Sequence, residues 1–377
     1  MAGRGARKGS GKHRNEAPAD LEAAAEGAIQ GFARKHERWI LVGLFVVAVL
    51  WRAIYCWAIG RSPFAEDLSV DAAAHHEWAR RISEGDLTFG GVFFRAPLYY
   101  YVLGGLYWVF GADPDVARVF QILVGAATCL VIHRIAKRVF DPVVAPAVAL
   151  IAGAMACVYG MYVYFANELL IETLALFLNV SGLALLLSAL ETPRLRRWFA
   201  SGLIFGLAAI TQPNVLVFVT LALLWNFLRF RAVWGRGPTL QRLSVLVLGL
   251  ALMIAPVTIY NAVVGGDRVL ISSQGGVNLF IGNNPEANGV SAYVPGARLD
   301  WNGFLEDTNR IAQRALGNPN AKPSEISAYW AGRAFDFMIE QPAQFLWLTA
   351  RKVYFFFNAH EAANNRSLRP MTDFSFL

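Results

Sequence analysis

Apolar runs about as long as a bilayer is thick constrain this 377-residue chain more than any other feature. A helix of about 20 apolar residues crosses the hydrocarbon core with its backbone polar groups satisfied inside the segment. Six runs read as spans: 39–59, 116–136, 142–165, 169–190, 213–230 and 243–264. Two others, 199–212 and 97–110, are too short to be settled by length. Charged residues make up only 16% of the chain and hydrophobic ones 56%, whereas a soluble domain carries about 25% charged residues. The expected fold is an all-α polytopic membrane protein.

The formal net charge is +7, but the basic residues form no single patch and so do not point to nucleic acid. They fall in the N-terminal tail (Arg4, Arg7, Lys8, Lys12, Arg14, Arg34, Lys35 and Arg38) and in short loops between apolar runs. That is the positive-inside pattern, which keeps residues 1–38 cytoplasmic. The tail is too long and polar for a signal-peptide n-region, and the first apolar run lacks a small-residue cleavage site, so it reads as a retained span. The same rule decides 97–110. If it crossed, Arg134, Lys137 and Arg138 would end outside. If it stays in the interface, they become cytoplasmic, as do Arg194, Arg196 and Arg197, and then Arg229, Arg231, Arg236 and Arg242. All three basic loops agree only when 97–110 does not cross.

This topology divides the chain into a basic tail, 1–38, a membrane bundle, 39–264, an extracytoplasmic domain, 265–341, and an interfacial helix with a C-terminal segment, 342–377. The bundle's outer loop, 60–115, carries an amphipathic helix from Val70 to Glu84. In the outer domain, Ser324 followed by Glu325 predicts a capped helix running to Ile339 and ended by Pro342. The run 343–357 is interrupted by Arg351 and Lys352, which suits the interface better than a span. Cys56, Cys129 and Cys157 each lie inside an apolar run and read as small buried hydrophobes.

Ionisable groups at helix ends beside a membrane are candidates for chemistry. Asp71 opens the amphipathic helix, where a carboxylate also simply suits the helix dipole. Glu168 lies between two spans at the outer surface, with Glu172 one turn further in. The sequence predicts that both acids share one helix face; the plainer alternative is a solvated loop charge and a packed, hydrogen-bonded one. Arg95 stands at the mouth of the 97–110 segment, where a guanidinium can grip a phosphate with two N–H groups or merely reach lipid headgroups. His75 and His76 are adjacent, so only one can face a given partner. Asp71 precedes His75 by one turn, but no further ligand completes a metal set, and helix-surface histidines are the simpler reading. No Walker loop, dinucleotide fingerprint or nucleophile elbow is present.

The order of these pieces resembles the C-type glycosyltransferases, and most closely the bacterial glycosyltransferase family 39 proteins, relatives of dolichyl-phosphate-mannose protein mannosyltransferases and lipid A aminoarabinose transferases. The resemblance runs from Asp71 through His75-His76-Glu77-Trp78 to Phe94-Arg95-Ala96-Pro97-Leu98-Tyr99. It continues through Arg118, Gln121, Asn167-Glu168-Leu169-Leu170-Ile171-Glu172 and Thr211-Gln212-Pro213-Asn214. It then takes in Ser272 to Pro285 and ends near Glu361 and Asn364-Asn365. It implies a C-type transmembrane bundle with a small extracytoplasmic domain, in a bacterial inner membrane, with its site periplasmic or extracellular. It further implies transfer of a sugar from a polyprenyl-phosphate donor to a protein, lipid or glycan acceptor. Asp71 and Glu168 would be the catalytic acids. Arg95, His75, His76, Glu172, Tyr99 and Gln212 would bind substrate. No cofactor is required, though a divalent cation is compatible with the acids. The sequence departs from the family at Gln212, where an arginine is frequent, and it stops at Leu377, where relatives usually continue with further membrane helices. A transporter or flippase, and a non-catalytic scaffold, are the competing classes.

Overall fold

The computed structural model describes residues 31, 35–61, 68, 70–142, 144–192 and 194–357. Most of the basic tail, most of the lead-in to Asp71, and the positions Glu361 and Asn364-Asn365 lie outside the described residues. Within them the chain is helical, with no strand. The membrane part contains α1 (Glu37–Ile59), α2 (Val70–Ser83), α3 (Leu98–Phe110), α4 (Pro114–Val139), α5 (Ala145–Val158), α6 (Gly160–Phe165), α7 (Glu172–Leu190), α8 (Leu195–Ala209), α9 (Val215–Phe230) and α10 (Arg236–Val263). Four further helices follow: α11 (Gly275–Gly282), α12 (Trp301–Leu316), α13 (Pro323–Glu340) and α14 (Pro342–Phe357). Among the described residues, α1, α4, α7 and α10 are long and apolar enough to cross a membrane, while α3, α5 and α9 are shorter apolar helices. The chain is an all-α polytopic membrane protein.

Polar contacts sort the helix ends into two sets. At one end Lys137 pairs with Glu37 at 2.5 Å, Arg138 with Glu191 at 3.5 Å, and Arg197 donates to the Ser188 carbonyl at 2.9 Å. This is the arginine-rich end. At the other, Arg118 near the start of α4 donates to Asn167 O at 3.3 Å, and Leu98 N donates to Ile210 O at 3.0 Å. Both ends of α3 therefore lie at this second end. Its N-terminus joins the α8–α9 turn, and four residues after its C-terminus α4 begins beside the 166–171 turn.

The expected span 142–165 is broken. Tyr159 is extended (φ −64°, ψ 114°) between α5 and α6, which leaves the carbonyls of the last α5 turn without their helical donors. Arg52, fully buried in α1, supplies replacements by donating to Cys157 O at 3.2 Å and Ala156 O at 3.4 Å. A buried arginine inside a membrane helix is thus held by orphaned carbonyls. The expected span 169–190 likewise begins later, at Glu172.

Helices α8 and α10 cross at backbone contact. A Cβ added to Gly202 would lie 2.0 Å from Leu246 O, and one added to Gly249 would lie 2.5 Å from Phe199 O. Gly202 and Gly206 form a G-x-x-x-G pair, the spacing that lets membrane helices approach closely. Gly202→Ala should lower stability by about 1–3 kcal/mol, since neither backbone can yield locally. Thermal unfolding in detergent measures this, and an unchanged midpoint would contradict the close crossing.

Beyond α10, helices α11 to α13 enclose a separate core of Val277, Phe280, Val294, Ala312, Trp330 and Ala334. Helix α13 starts at Pro323, and the expected Ser324 cap is corrected. Glu325 accepts from Lys322 N at 2.7 Å, while Asp267 accepts from both Ser324 N (2.7 Å) and Ser324 Oγ (2.8 Å). Ser324 is a donor tying this helix to the chain just after α10.

Candidate active site

The segment leading into α3 is fixed from several sides. Asn261, fully buried near the end of α10, accepts from Phe93 N at 3.0 Å and donates to Val269 O and Ile271 O at 3.0 Å each. Ser273 N and Gln274 N donate to Phe93 O and Phe94 O at 3.0 and 3.1 Å. Arg95 leaves this braced backbone and donates from Nη2 to Asp71 Oδ1 at 2.9 Å. Its guanidinium carbon lies 4.3 Å from the centre of the Trp301 ring, a cation–π geometry. The arginine is held between a carboxylate and an indole face.

Asp71 and Arg95 open on a cavity of about 830 Å³ at the second end of the bundle. Glu172, Gln212, Asn214 and His75 line it too. Glu172 Oε2 is buried there without a hydrogen-bond partner. Apolar side chains, among them Leu216, Val217, Leu270 and Leu279, complete the lining. Val217 and Leu270 are 66% and 57% exposed, so the cavity meets the flank of the bundle. This mixture of charged groups with exposed apolar side chains suits a ligand with a charged head and a hydrocarbon tail.

The other expected site residues lie differently. Glu168 sits in the turn before α7 and does not line this cavity. It shares no helix face with Glu172, because α7 starts only at Glu172, so that expectation is corrected. Tyr99 is fully buried and donates to Gln121 Oε1 at 2.6 Å. Gln121 Nε2 in turn donates to Glu168 O at 2.6 Å and Ala166 O at 3.3 Å. This relay fixes the turn that presents Glu172. His76 hydrogen-bonds Tyr107 OH through Nδ1 at 2.9 Å, on the α3 side of α2. Local sequence pattern singles out neither Ser272, Gln274 and Asn278, which line the cavity, nor Asn261 and Trp301. The polar pair Gln274 and Asn278, one turn apart beside two glycines, was the available signal for the first group.

His75 shows how the site is held. Its Nδ1–H donates to Leu169 O at 2.8 Å, and its ring meets Tyr99 edge-on at 5.0 Å. Burial, then the Arg95 charge, pull its pKa from 6.5 to about 4, against weaker upward pulls from the Leu169 carbonyl and Asp71. The folded protein therefore keeps the ring neutral where the unfolded chain takes up a proton. Stability from this group is full above pH about 6.5 and falls as pH drops toward 4. His75→Gln should flatten that part of the Tm–pH curve. An identical slope in the variant would contradict a buried neutral ring.

Among the described residues, no group of three or more His, Cys, Asp or Glu side chains is arranged to hold a metal ion. No curated protein matches the chain. The family model described as dolichyl-phosphate-mannose-protein mannosyltransferase matches residues 95–260, from the arginine of the site to the tyrosine beside Asn261. Over that segment, which is less than half of the chain, the protein is similar to the dolichyl-phosphate-mannose-protein mannosyltransferase family of membrane glycosyltransferases.

Proposed function

We propose that the protein transfers a sugar from a polyprenyl-phosphate carrier to a hydroxyl acceptor on the extracytoplasmic side of the membrane. The observation that carries this is that Asp71, Arg95 and Glu172 share one cavity with apolar side chains, of which Val217 and Leu270 are exposed on the bundle's flank. A donor whose lipid tail stays in the bilayer would enter along these apolar side chains and bring its phosphate to Arg95. The guanidinium carries five N–H donors, enough to keep Asp71 while gripping phosphate oxygens.

In this reading Asp71 takes the acceptor O–H proton as that oxygen attacks the anomeric carbon. The bond from that carbon to the phosphate oxygen breaks, and its electron pair leaves on the phosphate, where Arg95 offsets the growing charge. Glu172 and Gln212 would orient the sugar. The role expected of Glu168 passes to Glu172, with Glu168 shaping the turn. A lipid-borne donor also makes a nucleotide-binding motif unnecessary.

Sidedness follows from the arginine-rich opposite end, which the positive-inside rule places in the cytoplasm. A cysteine at Ala112, exposed between α3 and α4, should react with a membrane-impermeant maleimide added outside intact cells. Labelling only after the cytoplasmic face is opened would reverse the orientation. The reaction itself is tested by incubating purified protein with a panel of polyprenyl-phosphate sugars and nucleotide sugars. Turnover of a lipid-linked donor is expected, and turnover of nucleotide sugars alone would overturn the proposal.

A further inference from the structure

Arg95 forms a wall with two sides. Behind it, a second cavity of about 550 Å³ lies between α2, the 89–95 segment and the start of α12. Helix α2 separates the two spaces. Asp71 and His75 face the first, while Ala73, Ala74, Glu77 and Trp78 face the second. Arg95 lines both, and Trp301, against which it stacks, belongs to the second alone.

The lining of this second cavity selects among ligands. Phe89, Phe93, Tyr100 and Trp301 give it broad carbon surfaces. Its charges are already matched: Glu77 pairs with Arg80, Arg81 with Asp86, and Arg95 with Asp71. With Arg95 engaged by Asp71 and, in the proposed reaction, by the donor phosphate, a polyanion here would gain no further cation among these residues. A neutral molecule with an apolar body and a hydroxyl would fill the aromatic surface and keep its polar end toward Arg95 and Asn302.

We propose that this cavity receives the acceptor, a neutral amphiphilic alcohol whose hydroxyl reaches Asp71 past the Arg95 guanidinium while the sugar phosphate occupies the first cavity. The proposal rests on the transfer reaction proposed above. Its proton and electron pair move as described there, from acceptor oxygen to Asp71 and from the breaking bond to phosphate. Trp301 and Asn302 lie outside the segment that matches the family model. Acceptor choice is thereby assigned to the part of the chain that the family match does not cover.

The test uses the full chain in nanodiscs. Asn302→Cys, at the cavity's edge, is labelled with fluorescein maleimide, and Asn320→Cys, exposed between α12 and α13, is the labelled control. Two products are measured with the donor that the wild-type protein turns over: sugar on extracted membrane acceptors, and free sugar released to water. Labelling Asn302→Cys should lower the ratio of transfer to release about tenfold, with no change of ratio in the control. An unchanged ratio overturns the acceptor assignment, and an equal loss of both products overturns it by moving the cavity to the donor's side. In the wild-type protein, n-octyl β-D-glucoside below its micellar concentration should compete with the membrane acceptors. Absence of competition would reject the ligand class. A wild-type protein that turns over no lipid-linked donor defeats the underlying reaction instead, and that result is read before any variant is made.

Discussion

Asp71→Asn should leave a normally expressed, membrane-inserted protein whose sugar transfer is lower by about 100-fold to 10,000-fold, the range a positioned general base contributes. The substitution keeps the side chain's shape and can still accept from Arg95 Nη2 at the geometry that now measures 2.9 Å. It cannot take a proton from an attacking hydroxyl. The loss should therefore appear in kcat more than in the donor KM. A fluorescence-based size-exclusion profile matching the wild type would separate lost chemistry from lost folding. Activity within a few-fold of wild type would remove Asp71 from the reaction and leave its ion pair as a structural contact.

Arg95→Ala should reduce kcat/KM for the donor by about 100-fold, the scale of losing one positioned stabiliser of developing charge. The arginine has three contacts to lose: the Asp71 carboxylate, the Trp301 ring and, in the proposed reaction, the donor phosphate. Its removal also leaves Asp71 without the cation that now sits against it. Arg95→Lys should recover little, because an ammonium lacks the planar fork and stacks poorly on an indole. Donor saturation should shift more than acceptor preference does, although Arg95 lines both cavities. An Arg95→Ala protein with wild-type donor saturation would rule out phosphate binding by this residue.

Much of the membrane architecture was legible because bilayer thickness and charge asymmetry act on sequence directly. Apolar runs located α1, α4, α7, α9 and α10, and the amphipathic pattern located α2. What local pattern could not supply depends on groups distant in the chain. The break at Tyr159 is stabilised by Arg52, more than 100 residues earlier. Glu168 and Glu172 have the spacing of one helical turn, but the Tyr99–Gln121 relay holds residues 166–168 in a turn and delays the helix. His75 and His76 diverge because neighbours on a helix point about 100° apart. Asp71 and Arg95 both stand out in the sequence, yet their direct pairing and the Trp301 face behind them follow from packing α12 against α2 and the 93–95 segment.

The central claim is that the cavity beside Asp71, Arg95 and Glu172 holds the head of a lipid-linked sugar. Photocrosslinking tests it without requiring turnover. A polyprenyl-phosphate sugar with a diazirine next to the phosphate is added to the reconstituted protein, irradiated, and its adducts mapped by peptide mass spectrometry. Adducts within 211–217 and 270–279, the segments that line the cavity with Arg95, are predicted, and unlabelled donor should suppress them. Adducts confined to the arginine-rich end, around 194–197 and 229–242, would contradict the account.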